Sequence, residues 1–261
     1  MALIEANGIT QYYDIQGQGP PLLLVAGMGG TANYWAEQIA FFSATHTVIS
    51  YDQRGTGRSS HVRVESIDQL HEDLCALLDN LGFQTVDYLG HSTGGNIGQI
   101  MAIETPERLR KLIIYASTTH GDAYRAKVWK VRRSILENQG AELYGDMTSL
   151  MLYPPDWISA NAELLEQQQA VQVAMLASAE VMASRIEAVQ AYDRRDQLAQ
   201  IDTSTLVVCA RDDNQTPHYF SDALAAGIRT AELCSLDHGG HACSRTVPEQ
   251  FNTIISAFLE R

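Results

Sequence analysis

A chain of 261 residues with 45% apolar residues suits one domain with a substantial core. Its formal net charge of -13 repels nucleic acid phosphates and anionic lipid headgroups, so both are poor partners and a small molecule is the expected one. No run is long enough to cross a bilayer, and residues 1–5 lack the basic start of a signal peptide, so we expect a cytoplasmic protein. The sequence is compatible with a homodimer and does not decide the oligomeric state.

The cysteines give no sign of a disulfide framework or a metal site. Cys75, Cys209, Cys234 and Cys243 are scattered without Cys-x-x-Cys spacing, and three of them lie in apolar runs. Buried free thiols are therefore favoured. We expect no metal and no cofactor.

A hairpin and a buried strand open the chain. Asn7-Gly8 separates the first two strands and readily takes the positive φ angles of a tight turn. Residues 22–26 are uniformly apolar, which is typical of a strand buried on both faces. Residues 27–30, Gly-Met-Gly-Gly, can leave backbone N–H groups unpaired, so we expect the N–H of Met28 to belong to an oxyanion hole. A tight turn with no further role is the alternative.

A strand over residues 45–51 leads into the polar, glycine-containing loop 52–59. Arg54 and Arg58 could bind a carboxylate from this loop. Pairing of Asp52 with one of them, which would only fix the loop, is the favoured interpretation.

Two helices are predicted on either side of that loop. The first lies near residues 34–42, and the second begins at the capping box 66–69, Ser-Ile-Asp-Gln. Gly82 ends the second helix. Its leucines follow at helical spacing and are predicted core: Leu70, Leu74, Leu77, Leu78 and Leu81.

A strand, a Gly-x-Ser-x-Gly motif and a helix follow one another over residues 86–103. This order predicts a nucleophile elbow, in which the serine sits on a sharp turn and only very small residues fit two positions before and after it. Gly90 and Gly94 meet that requirement. Ser92 is therefore the candidate nucleophile, and the N–H of Thr93 at the helix start is the second oxyanion donor. Chance occurrence in a glycine loop is the alternative.

Strands and helices alternate along most of the chain, which predicts a mainly parallel sheet. Between the strands at 112–116 and 205–210, residues 119–200 show helical periodicity with almost no strand signal. The predicted fold class is therefore α/β: a mainly parallel sheet flanked by helices forms a core of residues 1–118 and 201–261. An all-helical cap over residues 119–200 is inserted before the last two strands.

The cap is predicted to cover the nucleophile, because an insertion that leaves the carboxyl edge of the sheet lies above the elbow. Met151, Tyr153 and Trp157 are expected to border an apolar pocket above Ser92. Packing between cap helices is the alternative for these three. One cap arginine could pair with a substrate carboxylate, the candidates being Arg132, Arg133 and Arg185.

A serine nucleophile needs a histidine to take its proton and a carboxylate to orient that histidine. Ser92, Asp213 and His241 each follow a predicted strand, in the Ser, Asp, His order of the α/β-hydrolases. His241 is preferred over His91 and His238 because it follows a glycine pair on the loop before the last helix.

The chain resembles α/β-hydrolases over essentially its full length, and more closely the aminoacrylate hydrolases of pyrimidine (uracil) utilization. Three motifs carry the closer match: Tyr-Asp-Gln-Arg-Gly-Thr-Gly at 51–57, Leu-Tyr-Pro-Pro-Asp-Trp at 152–157 and Gly-Gly-His-Ala-Cys at 239–243. The cap motif is the specific one, since enol-lactonases and proline iminopeptidases share the other two. In one departure from the family pattern, Ala26-Gly27 replaces the His-Gly that often begins the oxyanion turn.

The resemblance also bears on the acid and the substrate. For the acid of the triad, Asp213 is preferred over Asp212 because it lies four residues before Pro217, as the family's acid commonly does. Asp122 is the least favoured of the three aspartates. The resemblance implies a small unsaturated amino acid that loses ammonia by hydrolysis. A carboxylesterase or 3-oxoadipate enol-lactonase using an acyl-enzyme is the alternative, and a ligand receptor with hardly any turnover is a third possibility.

Overall fold

The computed structural model describes residues 2–261, so Met1 lies outside the described part of the predicted core. One sheet of eight strands runs in the order β1-β2-β4-β3-β5-β6-β7-β8. The strands are β1 (Ala2–Ala6), β2 (Ile9–Gln16), β3 (Pro21–Val25), β4 (Thr47–Tyr51), β5 (Val86–His91), β6 (Leu109–Tyr115), β7 (Ser204–Ala210) and β8 (Ala231–Leu236). All neighbours from β4 through β3 to β8 pair in parallel, whereas β1 with β2 and β2 with β4 pair antiparallel. The predicted fold class is confirmed.

Helices occupy most of the chain between the strands. They are α1 (Ala36–Phe42), α2 (Ile67–Leu81), α3 (Thr93–Glu104), α4 (Ala123–Gln139), α5 (Ala141–Leu152), α6 (Pro155–Ala160), α7 (Ala162–Ala174), α8 (Ala179–Ala191), α9 (Tyr219–Gly227), α10 (Cys243–Thr246) and α11 (Pro248–Leu259). Within residues 2–261, none of these helices combines the length and apolar content that a membrane crossing needs.

The local turn and cap signals of the sequence have their expected effect. Asn7 and Gly8 take φ angles of 48° and 74° between β1 and β2. At the start of α2 the Ser66 hydroxyl oxygen accepts a hydrogen bond of 3.0 Å from the N–H of Gln69. Gly82 ends the helix in the left-handed conformation, with φ 78°. These predicted boundaries are confirmed.

The sheet is buried on both faces, as its uniformly apolar strands predict. Along β3, Leu23 and Val25 pack with residues of α2 and α3, whereas Leu22 and Leu24 pack with residues of α1 and α11. All four leucine and valine side chains are fully buried. This rigid sheet fixes the positions of the loops at its carboxyl edge.

Five helices, α4 to α8, lie between β6 and β7, in the segment predicted to form the cap. The one strand-type pairing described there is an isolated bridge between His120 and Asp193. Helix α8 is the best buried of the five, and its Ser184 hydroxyl oxygen accepts a hydrogen bond of 3.0 Å from the N–H of Val64 in the core. The division into a core domain and a cap domain stays a prediction.

Candidate active site

Ser92 stands on a strained turn between β5 and α3. Its backbone has φ 53° and ψ -115°, a conformation that non-glycine residues rarely adopt. A Cβ atom at Gly90 would lie 2.4 Å from the carbonyl oxygen of Gly94, and one at Gly94 would lie 2.2 Å from that of Val25. Both positions therefore require glycine, and the strand, sharp turn and helix predicted for this motif are present.

His241 and Asp213 are brought together by the loops after β8 and β7. Nδ1 of His241 lies 2.8 Å from Oδ2 of Asp213, and their side chains are 2% and 0% exposed. Oδ1 of Asp213 accepts hydrogen bonds from the N–H groups of Gln215 (2.7 Å) and Thr216 (2.8 Å). Since an ionised carboxylate can only accept, Nδ1 carries the proton and Nε2 of a neutral His241 is the nitrogen that can accept one.

The competing acids have other contacts. Asp212 accepts hydrogen bonds from the N–H groups of Gly239 (3.1 Å) and Gly240 (2.8 Å), so it holds the turn that precedes His241. Asp122 caps α4 by accepting from the N–H of Arg125 at 2.8 Å. Neither carboxylate contacts the His241 ring.

His91, which precedes the serine, contacts the backbone of the loop that carries His241. Its ring stacks between those of Tyr34 and Tyr115, with centroid distances of 4.6 Å to each. Nε2 of His91 lies 3.0 Å from the carbonyl oxygen of His241, which also accepts a hydrogen bond of 2.8 Å from the Tyr115 hydroxyl. Burial, followed by repulsion from His241, holds the pKa of His91 well below its ordinary value of 6.5. The ring is therefore neutral and donates through Nε2.

The two predicted oxyanion donors are unpaired. Within residues 2–261, the N–H groups of Met28 and Thr93 donate no hydrogen bond. The turn that carries Met28 is held from the cap, because Nε of Arg185 donates to the Met28 carbonyl oxygen at 2.9 Å. Arg185 also donates to Oε1 of Gln53 at 2.7 Å and to the carbonyl oxygen of Arg54. The role of the Met28 and Thr93 N–H groups as an oxyanion hole stays a prediction.

A cavity of about 440 Å³ lies between this edge of the sheet and the helices α4, α5 and α7. Ser92, His241 and Met28 line it from the sheet side. The cap side contributes apolar and polar groups together: Trp129, Arg132, Tyr144, Thr148, Leu152, Leu164, Gln168, Val171, Leu176 and Met182. The serine and the histidine therefore open into one space.

Comparison with known proteins assigns a family to this arrangement. Residues 20–243 match the family model of the alpha/beta hydrolase fold. A protein of Azorhizobium caulinodans named "Putative carbamate hydrolase RutD" is 40% identical over 95% of this chain and 94% of its own. The chain belongs to the α/β-hydrolases, among the RutD proteins. A RutD relative of Pseudomonas savastanoi pv. phaseolicola is 36% identical over 92% of this chain and 93% of its own.

Solved structures agree with the assignment. The enol-lactonase of Burkholderia xenovorans LB400 superimposes with a TM-score of 0.93 at 25% identity, with both chains covered completely. A hydrolase of Pseudomonas aeruginosa PA01 gives a TM-score of 0.91 at 26% identity, over 100% of this chain and 98% of its own. The family resemblance inferred from the motifs is confirmed.

The lining of the cavity differs from the predicted pocket wall. Met151, Tyr153 and Trp157 do not line the cavity. The residues of α5 that line it share one face of the helix, and Met151 lies on a neighbouring face; they are Ala141, Tyr144, Gly145, Thr148 and Leu152. Tyr153 and Trp157 stack on each other with centroids 4.7 Å apart, and both belong to a separate apolar cluster around Leu165 and Ala242.

The three cap arginines have different surroundings. Arg133 is partly exposed and pairs with Glu137 (2.6 Å) and Glu187 (2.8 Å). Arg185 is buried away from the cavity against carbonyl and amide oxygens, and burial lowers its pKa to about 10. Of the three candidates for binding a substrate carboxylate, only Arg132 lines the cavity.

The arginines of loop 52–59 are used to fix that loop. Nε of Arg58 lies 2.8 Å from Oδ2 of Asp52, as the favoured interpretation expected. Arg54 pairs instead with Asp73, through two hydrogen bonds of 2.7 Å each. Both guanidinium groups therefore already hold a carboxylate of the chain.

Three supporting residues escaped the sequence interpretation. The sequence analysis prefers His241 over His91. It offers Arg185 as one of three candidates for a substrate carboxylate and does not identify its contact with Met28. The hydroxyl of Thr216 lies 2.8 Å from Oδ2 of Asp213 and 3.1 Å from Nδ1 of His241. A threonine three residues after the acid was a usable signal, because a side chain at that spacing can reach back to the carboxylate.

Proposed function

We propose that this hydrolase cleaves a C–N bond of a small carboxylate-bearing metabolite and releases ammonia. The observation that carries the proposal is the 2.8 Å contact between His241 and Asp213 in a chain whose Ser92 opens into the same cavity. RutD relatives bear the name of carbamate hydrolases, and the motifs resemble aminoacrylate hydrolases. Hydrolysis of either compound breaks a C–N bond and frees ammonia, so both point to one reaction class.

For a carbonyl substrate, the geometry supports a covalent route. Ser92 Oγ attacks the carbonyl carbon while Nε2 of His241 takes its proton, and the N–H groups of Met28 and Thr93 receive the negative oxygen. His241 then returns the proton to nitrogen as the C–N bond breaks and ammonia leaves. Water, deprotonated by His241, attacks the acyl-enzyme and releases Ser92. Asp213 keeps the histidine oriented through both halves.

An enamine substrate has a second route to the same products. Its imine tautomer can take water at the C=N carbon while His241 accepts a proton from that water and passes it to the nitrogen. In the resulting carbinolamine, His241 transfers the hydroxyl proton to the nitrogen as the C–N bond breaks, so ammonia leaves and a ketone remains. This route uses His241 and Asp213 but not Ser92, so a serine variant separates the two.

Ammonia measurements test the proposal. The purified protein is offered carbamate, small amides and an enamine generated in situ, and ammonia is measured against a control lacking protein. We expect many turnovers with at least one of the three. Turnover of esters or lactones alone would contradict C–N hydrolysis, and a single round of release without turnover would support the receptor alternative.

One observation favours the esterase or enol-lactonase alternative. The cavity of about 440 Å³ lies in the size range of sites for drug-sized ligands, whereas carbamate is among the smallest organic molecules. The enol-lactonase with the same architecture strengthens this alternative. Accumulation of an acyl-enzyme with a lactone or an ester, and no ammonia from any nitrogen substrate, would favour it.

A further inference from the structure

Arg132 is a buried cation without a counter-ion. It projects from α4, is 4% exposed and lines the cavity. Its guanidinium donates to Oε1 of Gln215 (3.2 Å) and to the hydroxyls of Tyr144 (3.1 Å) and Thr148 (2.9 Å). These are neutral acceptors, and within residues 2–261 Arg132 forms no ion pair. A buried charge left unpaired is costly, so an anion from outside the chain would stabilise it.

Two buried N–H donors at this position are also unpaired, one on Arg132 itself and one on the neighbouring Gln215. Within the described chain, Nε of Arg132 and Nε2 of Gln215 are buried without a hydrogen-bond partner. Unsatisfied buried donors are rare in folded proteins because each costs its full desolvation energy. Both residues line the cavity that contains Ser92 and His241. The hydrogen bond from Arg132 uses Oε1 of Gln215 and leaves its Nε2 without a partner among the described residues.

The backbone of Gln215 is fixed relative to the catalytic acid. Its N–H donates to Oδ1 of Asp213 at 2.7 Å, and its carbonyl oxygen accepts from Nη1 of Arg125 at 2.9 Å. The two free donors therefore belong to residues held by α4 and by the loop that carries Asp213. A ligand group bound to them lies at a fixed position relative to His241.

A second cavity arginine provides a contrast. Arg245 lines the same space and also forms no ion pair within residues 2–261. Its guanidinium donates to the Tyr153 hydroxyl at 2.6 Å and to Oε1 of Gln168. It is only partly buried, and none of its nitrogens is a buried unpaired donor. Water can therefore solvate Arg245 more readily than Arg132, which is 4% exposed.

We infer that Arg132 and Gln215 form a subsite for a substrate carboxylate that is separate from the carbon under attack. This inference rests on the proposed function and narrows its substrate class. A guanidinium and an amide NH₂ supply the donors that the two oxygens of a carboxylate accept. An amino acid enamine has such a carboxylate beside its reacting carbon. Carbamate does not, because its carboxylate carbon is the reacting carbon.

Two p-nitrophenyl esters of equal chain length test the subsite, one ending in a carboxylate and the other in a neutral amide. The measured quantity is the ratio of kcat/KM for the charged ester to that for the neutral ester. We expect Arg132→Gln to lower this ratio about 30-fold, the loss typical of a removed charge-assisted hydrogen bond. Gln215→Leu should also lower the ratio of kcat/KM values. Arg133→Gln, at a partly exposed position outside the cavity, is the matched control and should keep the ratio.

Three outcomes of the ester test would contradict the subsite. The wild-type protein could show no preference for the charged ester. Its ratio could survive Arg132→Gln in a folded variant. Arg245→Gln could lower the ratio while Arg132→Gln does not, which would assign the carboxylate to the other arginine. Melting temperatures confirm that each variant is folded, and Gln215→Leu decides if Arg132→Gln does not fold.

A binding measurement separates this inference from the proposed function. Acrylate and acrylamide are similar in size and differ in charge, and calorimetry with Ser92→Ala measures their Kd values without turnover. We expect acrylate to bind at least about tenfold more tightly, with the difference abolished by adding Arg132→Gln. Equal affinities would overturn the subsite. A preserved difference in a protein that hydrolyses nothing would leave the subsite standing and reject the proposed function alone.

Discussion

The two walls of the cavity differ in how their charged side chains are paired. On the sheet wall, the carboxylate of Asp213 has partners on both oxygens, and one of them is His241. On the cap wall, Arg132 has no carboxylate partner within residues 2–261, and its Nε is a buried donor without a hydrogen bond. Hydrogen bonds hold a paired group in place, whereas an unpaired donor can bind a ligand. On our proposals, the sheet wall carries the reaction, and Arg132 contributes to recognition from the cap wall.

The topology explains why the walls differ. Ser92, Asp213 and His241 follow β5, β7 and β8, which are parallel and belong to one continuous part of the sheet. Their loops meet at one carboxyl edge, so the backbone register sets their spacing. The cap wall is assembled only from side chains between helices. Its composition can change without disturbing the sheet, which suits a surface that selects substrates.

Removing the nucleophile should give the largest effect on the sheet wall. Ser92→Ala is expected to lower kcat for a carbonyl substrate by about 10⁴-fold, while the elbow glycines keep the fold intact. Steady-state kinetics and a melting curve measure the two effects, with exposed Ser159→Ala as the control. Full turnover of an enamine by Ser92→Ala would instead establish the water route through His241.

The two neighbouring aspartates should differ in their effect on rate. Asp213→Asn is expected to lower kcat by about 10³-fold or more, because the amide can no longer fix the tautomer of His241. Asp212→Asn should cost about tenfold or less, because it only weakens the bonds to the Gly239 and Gly240 turn. Rates of both variants on one substrate decide the order. Equal losses would contradict the assignment of the acid.

Two tryptophans test the cap wall. Trp157 is half-buried outside the cavity, so Trp157→Ala should cost about 1–2 kcal/mol of unfolding free energy with KM nearly unchanged. Trp129 lines the cavity, and the Arg132 guanidinium lies 4.8 Å from its ring centroid, so Trp129→Phe should raise KM. Urea unfolding and steady-state kinetics on both variants distinguish the roles. A raised KM in Trp157→Ala alone would restore the original pocket prediction.

The smallest expected effect concerns His91 and pH. Its pKa is depressed in the fold, so below about pH 6.5 the unfolded chain takes up a proton that the folded chain does not. The unfolding free energy should therefore decrease as the pH is lowered, and this group contributes up to about 1.4 kcal/mol of that decrease per pH unit. Urea unfolding at pH 7 and pH 5.5 should show a shallower fall in His91→Phe. Parallel slopes for both proteins would contradict this role.

The sheet wall was largely predictable from the sequence, because its features are encoded in short segments. The glycines flanking Ser92 are required by backbone contacts, and the order of Ser92, Asp213 and His241 follows the order of strands. The support given by His91 was not predictable, because its ring meets Tyr34 and Tyr115 from distant parts of the chain.

The cap wall was only partly predictable. A shift of one residue turns a helical side chain by about 100°, which is enough to exchange Met151 for Leu152 at the cavity. Arg132 and Arg185 look alike in sequence, and only tertiary packing shows that one faces the cavity while the other holds Met28. A periodic pattern identifies a helix but does not say what its faces meet.

The central claim is that Ser92, activated by His241, is the reacting group of the sheet wall. Intact-mass spectrometry over time with a neutral fluorophosphonate tests it most directly, using wild type, His241→Ala and the cap control Trp157→Ala. We expect one adduct on Ser92, formed at similar rates in wild type and Trp157→Ala and at least about 10³-fold more slowly in His241→Ala. Labelling at another residue, or labelling of His241→Ala at the wild-type rate, would contradict the account.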